Sequence, residues 1–202
     1  MSFFENTRKP AGLGGKIMVV MMNIGHSFVA RWGLRFLKLS PDANVLDCGC
    51  GGGANIKRML KKCPAGIVNG IDYSAVSVEK SKKVNKKAVA KGRCEILHSS
   101  VADMIFADNR FDTVTAFETV YFWQDLPQCF REVWRVLKPG GTFFICNESN
   151  GDTDKDEKWT KIITGMTIYK DTELKAYLEQ AGFHDVQAYK NNMGWLCVAA
   201  KK

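Results

Sequence analysis

Long apolar runs are missing from this chain of 202 residues. Spanning a bilayer takes about 20 such residues, and the longest stretch, Ile17-Met18-Val19-Val20-Met21-Met22, stops at Asn23. No small-residue cleavage site follows that stretch, so it does not read as a secretory signal. A membrane is not an expected partner, and the cytoplasm is the expected compartment. The seven cysteines, at 48, 50, 63, 94, 129, 146 and 197, form no C-x-x-C pair, and their number is odd. They read as reduced, structural thiols rather than a metal or disulfide framework. No aromatic residue interleaves with Lys80, Lys82, Lys83, Lys86, Lys87 and Lys91, which carry much of the net charge of +8. One helix is predicted over Glu79 to Lys91, with Val78, Val84 and Ala88 on its opposing face. Such an arrangement is a solvated lysine face on an outer amphipathic helix, not a surface that stacks bases.

What the chain does have is an ordinary globular composition, 46% hydrophobic and 25% charged, enough for one domain. Its organising stretch is Val45-Leu46-Asp47-Cys48-Gly49-Cys50-Gly51-Gly52-Gly53. A short apolar run suited to a buried parallel strand breaks into glycines, and good helix formers with Ile56, Met59 and Leu60 follow. Strand, glycine turn and helix make the first half of a mononucleotide-binding βαβ unit. The glycines allow a sharp turn that brings backbone N–H groups close to a ligand. No Gly-Lys-Ser/Thr follows, so nucleotide hydrolysis is not expected. Asp47 is the telling residue. A pyrophosphate there would face an anion, whereas a ligand bearing an ammonium group would face its counter-charge.

A second carboxylate, Asp72, ends the next predicted strand (Gly66 to Asp72) about 20 residues beyond the glycines, where it can accept hydrogen bonds from ribose hydroxyls. Tyr73 and Ser74 follow it, and Tyr73 can pack flat on an adenine. Further strands are predicted at Cys94 to His98, Arg110 to Phe117 and Thr142 to Cys146. A helix from Leu126 to Leu137 closes on Lys138-Pro139-Gly140-Gly141, a short cap helix is predicted from Trp159 to Met166, and another helix spans Asp171 to Phe183. The last strands, Asp185 to Asn191 and Trp195 to Ala200, flank a glycine turn and read as a hairpin.

The motif Asp47-Cys48-Gly49-Cys50-Gly51, the strand-end Asp72, Phe111-Asp112 and Leu137-Lys138-Pro139-Gly140-Gly141 resemble the ordered landmarks of the class I S-adenosylmethionine (SAM)-dependent methyltransferases. The resemblance runs from about Pro41 to Lys202. It implies an α/β, Rossmann-like, seven-stranded, mostly parallel sheet with an antiparallel last strand and helices on both faces. It further implies a methyltransferase core over 41–202 with a small cap insertion at about 150–168, preceded over 1–40 by an N-terminal helical lid. SAM would be the cofactor and S-adenosylhomocysteine the product, the methyl passing to a small-molecule acceptor by in-line displacement. The cofactor would be held by Asp47, Gly49, Cys50, Gly51, Gly53, Asp72, Tyr73, Ser74 and Phe117. The slot that often reads Gly-Asp-Ala in the resembled family is Ser99-Ser100-Val101-Ala102-Asp103 here, so Ser100 and Val101 stand in for the adenine contact.

The acceptor side is less determined. Lys16 to Lys38 reads as one or two helices broken near Asn23-Ile24-Gly25, carrying His26 and Trp32. Trp32 suits either core packing or the active site, and His26 either a cap or the acceptor pocket. Glu118-Thr119-Val120-Tyr121-Phe122-Trp123 leaves the fourth strand at the edge where open α/β sheets bind ligands. His26, Glu118 and Tyr121 are the candidate bases, with ammonium binding as an alternative role for Glu118. An RNA or protein methyltransferase, or a SAM-binding protein without catalysis, remains the alternative. The acceptor atom and the oligomeric state stay open.

Overall fold

The computed structural model describes residues 12–202. The start of the expected lid, residues 1–11, lies outside them. Strands β1 (Asn44–Cys48), β2 (Ile67–Asp72), β3 (Ile96–His98), β4 (Phe111–Phe117), β5 (Leu137–Asn147), β6 (His184–Lys190) and β7 (Leu196–Lys201) form a seven-stranded sheet in the order β3-β2-β1-β4-β5-β7-β6. β7 runs antiparallel to both neighbours, and the other pairings are parallel. Strand direction and order therefore place the C-terminal ends of β1, β4 and β5 along one edge.

Alternation along the strands sends side chains to two cores. Leu46, Val114, Phe143 and Ile145 join Phe130, Val133, Leu174 and Leu178 of α6 (Leu126–Val136) and α8 (Asp171–Gln180) on one face. Val45, Val68, Phe144 and Cys146 meet Ile56 and Met59 of α3 (Ala54–Lys62) and Val29 and Trp32 of α2 (Ser27–Gly33) on the other. α2 approaches the sheet closely because Gly33 has no side chain: a Cβ there would stand 2.5 Å from Cys146 Sγ. α1 (Gly12–Gly25) precedes it, and the break between the two falls at His26. All seven cysteines are buried and unpaired. No helix among the described residues is long and apolar enough to cross a membrane.

Three elements depart from the sequence expectation. The lysine-bearing helix is two, α4 (Ala75–Val84) and α5 (Lys86–Ala90), interrupted at Asn85. Asn85 is buried and its Nδ2 donates to Gly53 O and Ser81 O, both at 3.0 Å. That amide ties the glycine turn to α4, a tertiary role that outweighs helical periodicity. Asn85→Ala leaves Gly53 O without this donor, so we expect a loss of about 2 kcal/mol. At a few degrees per kcal/mol, calorimetry should read a Tm lower by roughly 4–8 °C, and an unchanged Tm would remove the tie from the account. The second departure is β5, which begins at Leu137, paired with Phe111. Lys138 to Gly141 then bulge before pairing resumes at Thr142 with Thr113, so a segment with turn composition lies inside a strand. The third is the cap helix α7, at Asp154–Ile162 rather than Trp159 to Met166.

Candidate active site

The glycine turn is organised by carbonyl and carboxylate acceptors within the protein. Gly49 N and Cys50 N both donate to Ile71 O at 2.9 Å, and Gly53 N donates to Cys50 O at 3.0 Å. Gly51 N donates to Asp72 Oδ2 at 2.9 Å, while Ser74 N donates to Oδ1 at 2.8 Å. The Gly51 and Ser74 amides therefore hold Asp72, while those of Gly49, Cys50 and Gly53 go to backbone carbonyls. Gly49, at φ +71°, is required by its neighbour as well: a Cβ would stand 2.1 Å from Thr119 Oγ1. That threonine belongs to the segment leaving β4, so motif and acceptor-side loop pack against each other.

Beside the turn opens a cavity of about 450 Å³ at the edge where β1 and β4 lead apart, the switch point of the sheet. One wall carries Asp47 and Asp72, both buried. Asp47 faces Thr115 across the β1–β4 pairing, and the Thr115 hydroxyl donates to its Oδ1 at 2.7 Å. Burial pushes the Asp47 carboxyl up to about 7, against the hydrogen bond from Thr115, and the charge of Asp72 adds to the rise. Burial also raises Asp72, offset by the amides of Ser74 and Gly51. Two carboxylates held this way favour a cationic ligand, whose charge would return them to their ordinary range.

The apolar part of the lining comes from several segments: Val29 and Ala30 of α2, Phe117 at the end of β4, Tyr121 and Phe122 after it, and Trp159, Ile163 and Met166 of the cap. His26, Glu118 and Glu148 also line the cavity and lie close together. Glu118 adopts the left-handed region at φ +59°, a conformation costing about 1 kcal/mol or more for a side-chain-bearing residue. Its N–H donates to Cys146 O at 2.9 Å, which fixes the turn against β5. Burial drives its carboxyl well above the usual range, the Glu148 charge adds to this, and the Glu148 N–H partly offsets it. Burial lowers His26 below its ordinary value while Glu148 raises it, so the imidazole stands largely neutral, with Nε2 3.8 Å from Glu148 Oε2.

Residues 46–145 match the model of a family described as Methyltransferase domain. The chain is 32% identical over 156 residues to cycloartenol-C-24-methyltransferase of Arabidopsis thaliana, covering 73% of this chain and 46% of that protein. It is 29% identical over 175 residues to phosphoethanolamine N-methyltransferase of Triticum aestivum, covering 81% of this chain and 34% of that one. The crystal structure of a SAM-dependent methyltransferase from Aquifex aeolicus superposes with a TM-score of 0.76 at 20% identity, over 92% of this chain and 97% of the other. The chain belongs to the class I SAM-dependent methyltransferases. It spans roughly a third to a half of the length of the curated relatives it matches first.

The cavity gathers most of the residues singled out from sequence. Asp47, Gly49, Cys50, Gly51, Asp72, Tyr73, Phe117, His26, Glu118 and Tyr121 all line the cavity. Gly53 and Ser74 do not line it and act behind it. Gly53 gives way to Ser81 and Asn85, and the Ser74 hydroxyl caps α4 by accepting from Ser77 N at 3.3 Å. Ser100 and Val101 lie away from it: Ser100 is exposed and bridged to Asp103, with its Oγ accepting from Ala102 N at 3.2 Å, and Val101 packs on the core beneath α6. The Tyr121 hydroxyl accepts from Ser149 N at 2.8 Å and donates to Ser149 O at 3.3 Å. Burial, with the Glu118 charge behind it, holds that phenol well above its usual range. Its hydroxyl is thus held against Ser149, just past the end of β5, at the edge of the cavity.

Trp32 packs on Phe36 and Trp195, and Trp123 stacks on Phe143 while its Nε1 donates to Thr119 Oγ1 at 3.2 Å. Neither tryptophan lines the cavity. Sequence reasoning missed Glu148, Arg58 and the cap side chains as lining residues. Glu148 had a usable signal, a carboxylate just past the end of β5 on the binding edge. The cap residues had none, because nothing local to them points back across the sheet.

Proposed function

We propose that this chain binds SAM against the Asp47–Asp72 wall and transfers its methyl group by in-line displacement to a small acceptor held against the apolar wall. SAM brings a methyl group already activated on a sulfonium. The chain supplies placement. Asp47 meets the ammonium group, Asp72 is pre-set by two amides for ribose hydroxyls, and Tyr73 lies half-exposed beside them for the adenine. Phe117, Phe122, Trp159, Ile163 and Met166 exclude water and orient the acceptor, the contribution on which methyl transfer most depends. The helical segment at 12–33 contributes His26, Val29 and Ala30 to this enclosure, and we assign it the role of a lid.

The observation that carries this reading is one cavity whose lining joins the buried carboxylates Asp47 and Asp72 to a set of apolar side chains. About 450 Å³ lies in the range of small-molecule sites. A polymer acceptor finds less support: among the described residues lining the cavity no lysine occurs, and Arg58 is the one arginine. The relatives named above act on a sterol and on phosphoethanolamine, and both names fit a small acceptor.

Calorimetry should show SAM and S-adenosylhomocysteine binding, and tight NADH binding with none for SAM would overturn the cofactor. For the acceptor, the protein is incubated with methyl-labelled SAM and cell extract, and label is counted in the dialysable and macromolecular fractions. Label should appear in the dialysable fraction, and label confined to RNA or protein would favour a polymer acceptor. Lys82→Gln, Lys83→Gln and Lys87→Gln together should change SAM affinity less than twofold, since these exposed side chains lie outside the cavity.

A further inference from the structure

We propose that His26, Glu118 and Glu148 form a binding site for one divalent first-row transition-metal ion, open on its remaining coordination positions to the cavity. One donor atom from each lies within 4.8 Å of the other two. Ligands bound to one ion at about 2.0–2.2 Å stand up to about 4.4 Å apart, so small side-chain adjustments bring the three into coordination. The donors come from three separate places, the α1–α2 junction, the turn after β4 and the residue after β5. Nothing about packing alone requires two carboxylates and an imidazole to converge there.

The second observation is independent of the cluster. Glu118 Oε1 is fully buried and has no hydrogen-bond partner among the described residues. Glu118 reaches this position through a backbone conformation unfavourable for a side-chain-bearing residue. A buried oxygen without a donor is costly, and a cation supplies what the protein around it does not. The side chains of His26 and Glu148 are 37% and 53% exposed, which leaves the ion a route in from solvent.

The donor set selects the class of ion. One imidazole with two carboxylates suits manganese, iron or zinc better than calcium or magnesium, which prefer all-oxygen surroundings. Three protein ligands leave open positions, the pattern of sites that bind a further ligand. All three residues line the cavity, so a filled site would take an oxygen donor on the acceptor and fix its orientation. It would also join the helical segment at 12–33 to the sheet edge through His26.

The test uses the metal alone and does not depend on the SAM reading. Protein freed of metal with a chelator is titrated with Mn2+, and the loss of the free-ion electron paramagnetic resonance signal is followed. We expect one saturable site per chain, displaced by Zn2+, which ranks higher in the general affinity order. His26→Ala, Glu118→Gln and Glu148→Gln should each weaken it by tenfold or more, and Zn2+ should raise the Tm of the wild type but not of these variants. Glu118→Gln and Glu148→Gln preserve shape, so they keep the test valid if His26→Ala disturbs the helix junction. Absence of saturable Mn2+ binding, or binding at full strength in both glutamine variants, would overturn the site, whatever the outcome with SAM.

Discussion

SAM should bind more tightly as pH rises from about 5 to about 7, and one proton should leave the protein as it does. The cause is Asp47, whose carboxyl sits at about 7 in the ligand-free protein instead of the ordinary 3.8. A bound ammonium group stabilises the carboxylate and expels the proton, so affinity follows the fraction already ionised. The same group sets a stability trend of defined sign. Its folded pKa is raised, so the folded state holds the proton more firmly than the unfolded chain. Its favourable contribution is complete below about 4 and is lost as pH climbs to about 7. At 1.36 kcal/mol per pH unit over that window, the loss approaches about 4 kcal/mol, and Asp72 shifts in the same direction. Asp47→Asn should therefore raise the ligand-free Tm at pH 8 while weakening SAM roughly 10- to 100-fold, since a charge-assisted contact is lost. Titrations in two buffers of different ionisation enthalpy give the proton count. Identical heats, with an affinity flat across this window, would refute the assignment.

Gly49→Ala should be the most damaging single-methyl change in the glycine turn. The new methyl must occupy φ +71° and would lie 2.1 Å from Thr119 Oγ1. Left-handed backbone costs about 1–2 kcal/mol, and displacing a packed side chain adds a similar amount. A loss of about 3 kcal/mol corresponds to a Tm lower by roughly 6–12 °C. SAM affinity should fall with it, because Gly49 and Asp47 share the wall and Thr119 carries the segment leading to Tyr121. Thr119→Ala in the same chain removes the Oγ1 nearest the clash and should restore part of the stability, at the expense of the Trp123 Nε1 hydrogen bond. If the double variant is no better than Gly49→Ala, the contact is not what demands glycine there.

The carboxylate wall was legible from sequence because its signals are local. Asp47 stands two residues before a glycine and Asp72 at the end of the following strand, and backbone geometry carries such spacings directly into space. The apolar wall was only partly legible. Tyr121 and Phe122 line the cavity but Trp123, one residue on, is turned into the core by the 3₁₀ turn at Val120–Phe122. A stretch of aromatics does not reveal which way such a turn points each ring. Trp159, Ile163 and Met166 reach the site only through the way the cap folds back, and Thr115 meets Asp47 only through strand pairing. Asn85 belongs with these: its sequence neighbours suggest an unbroken helix, while its hydrogen bond goes to Gly53, 32 residues away.

The placement of β7 between β5 and β6 has a consequence for how the molecule is made. β6 pairs only with β7, yet it precedes β7 in the chain. During synthesis it waits without a strand partner while β5 presents an open edge flanked by Phe143, Phe144 and Ile145. Both edges are protected in a single event, when Leu196–Lys201 slides between them and pairs on either side. Pairing across such separations is slow, and an uncovered edge of this kind recruits other chains. Occupying such edges with a chaperone should therefore raise the yield of folded protein more than added cofactor does.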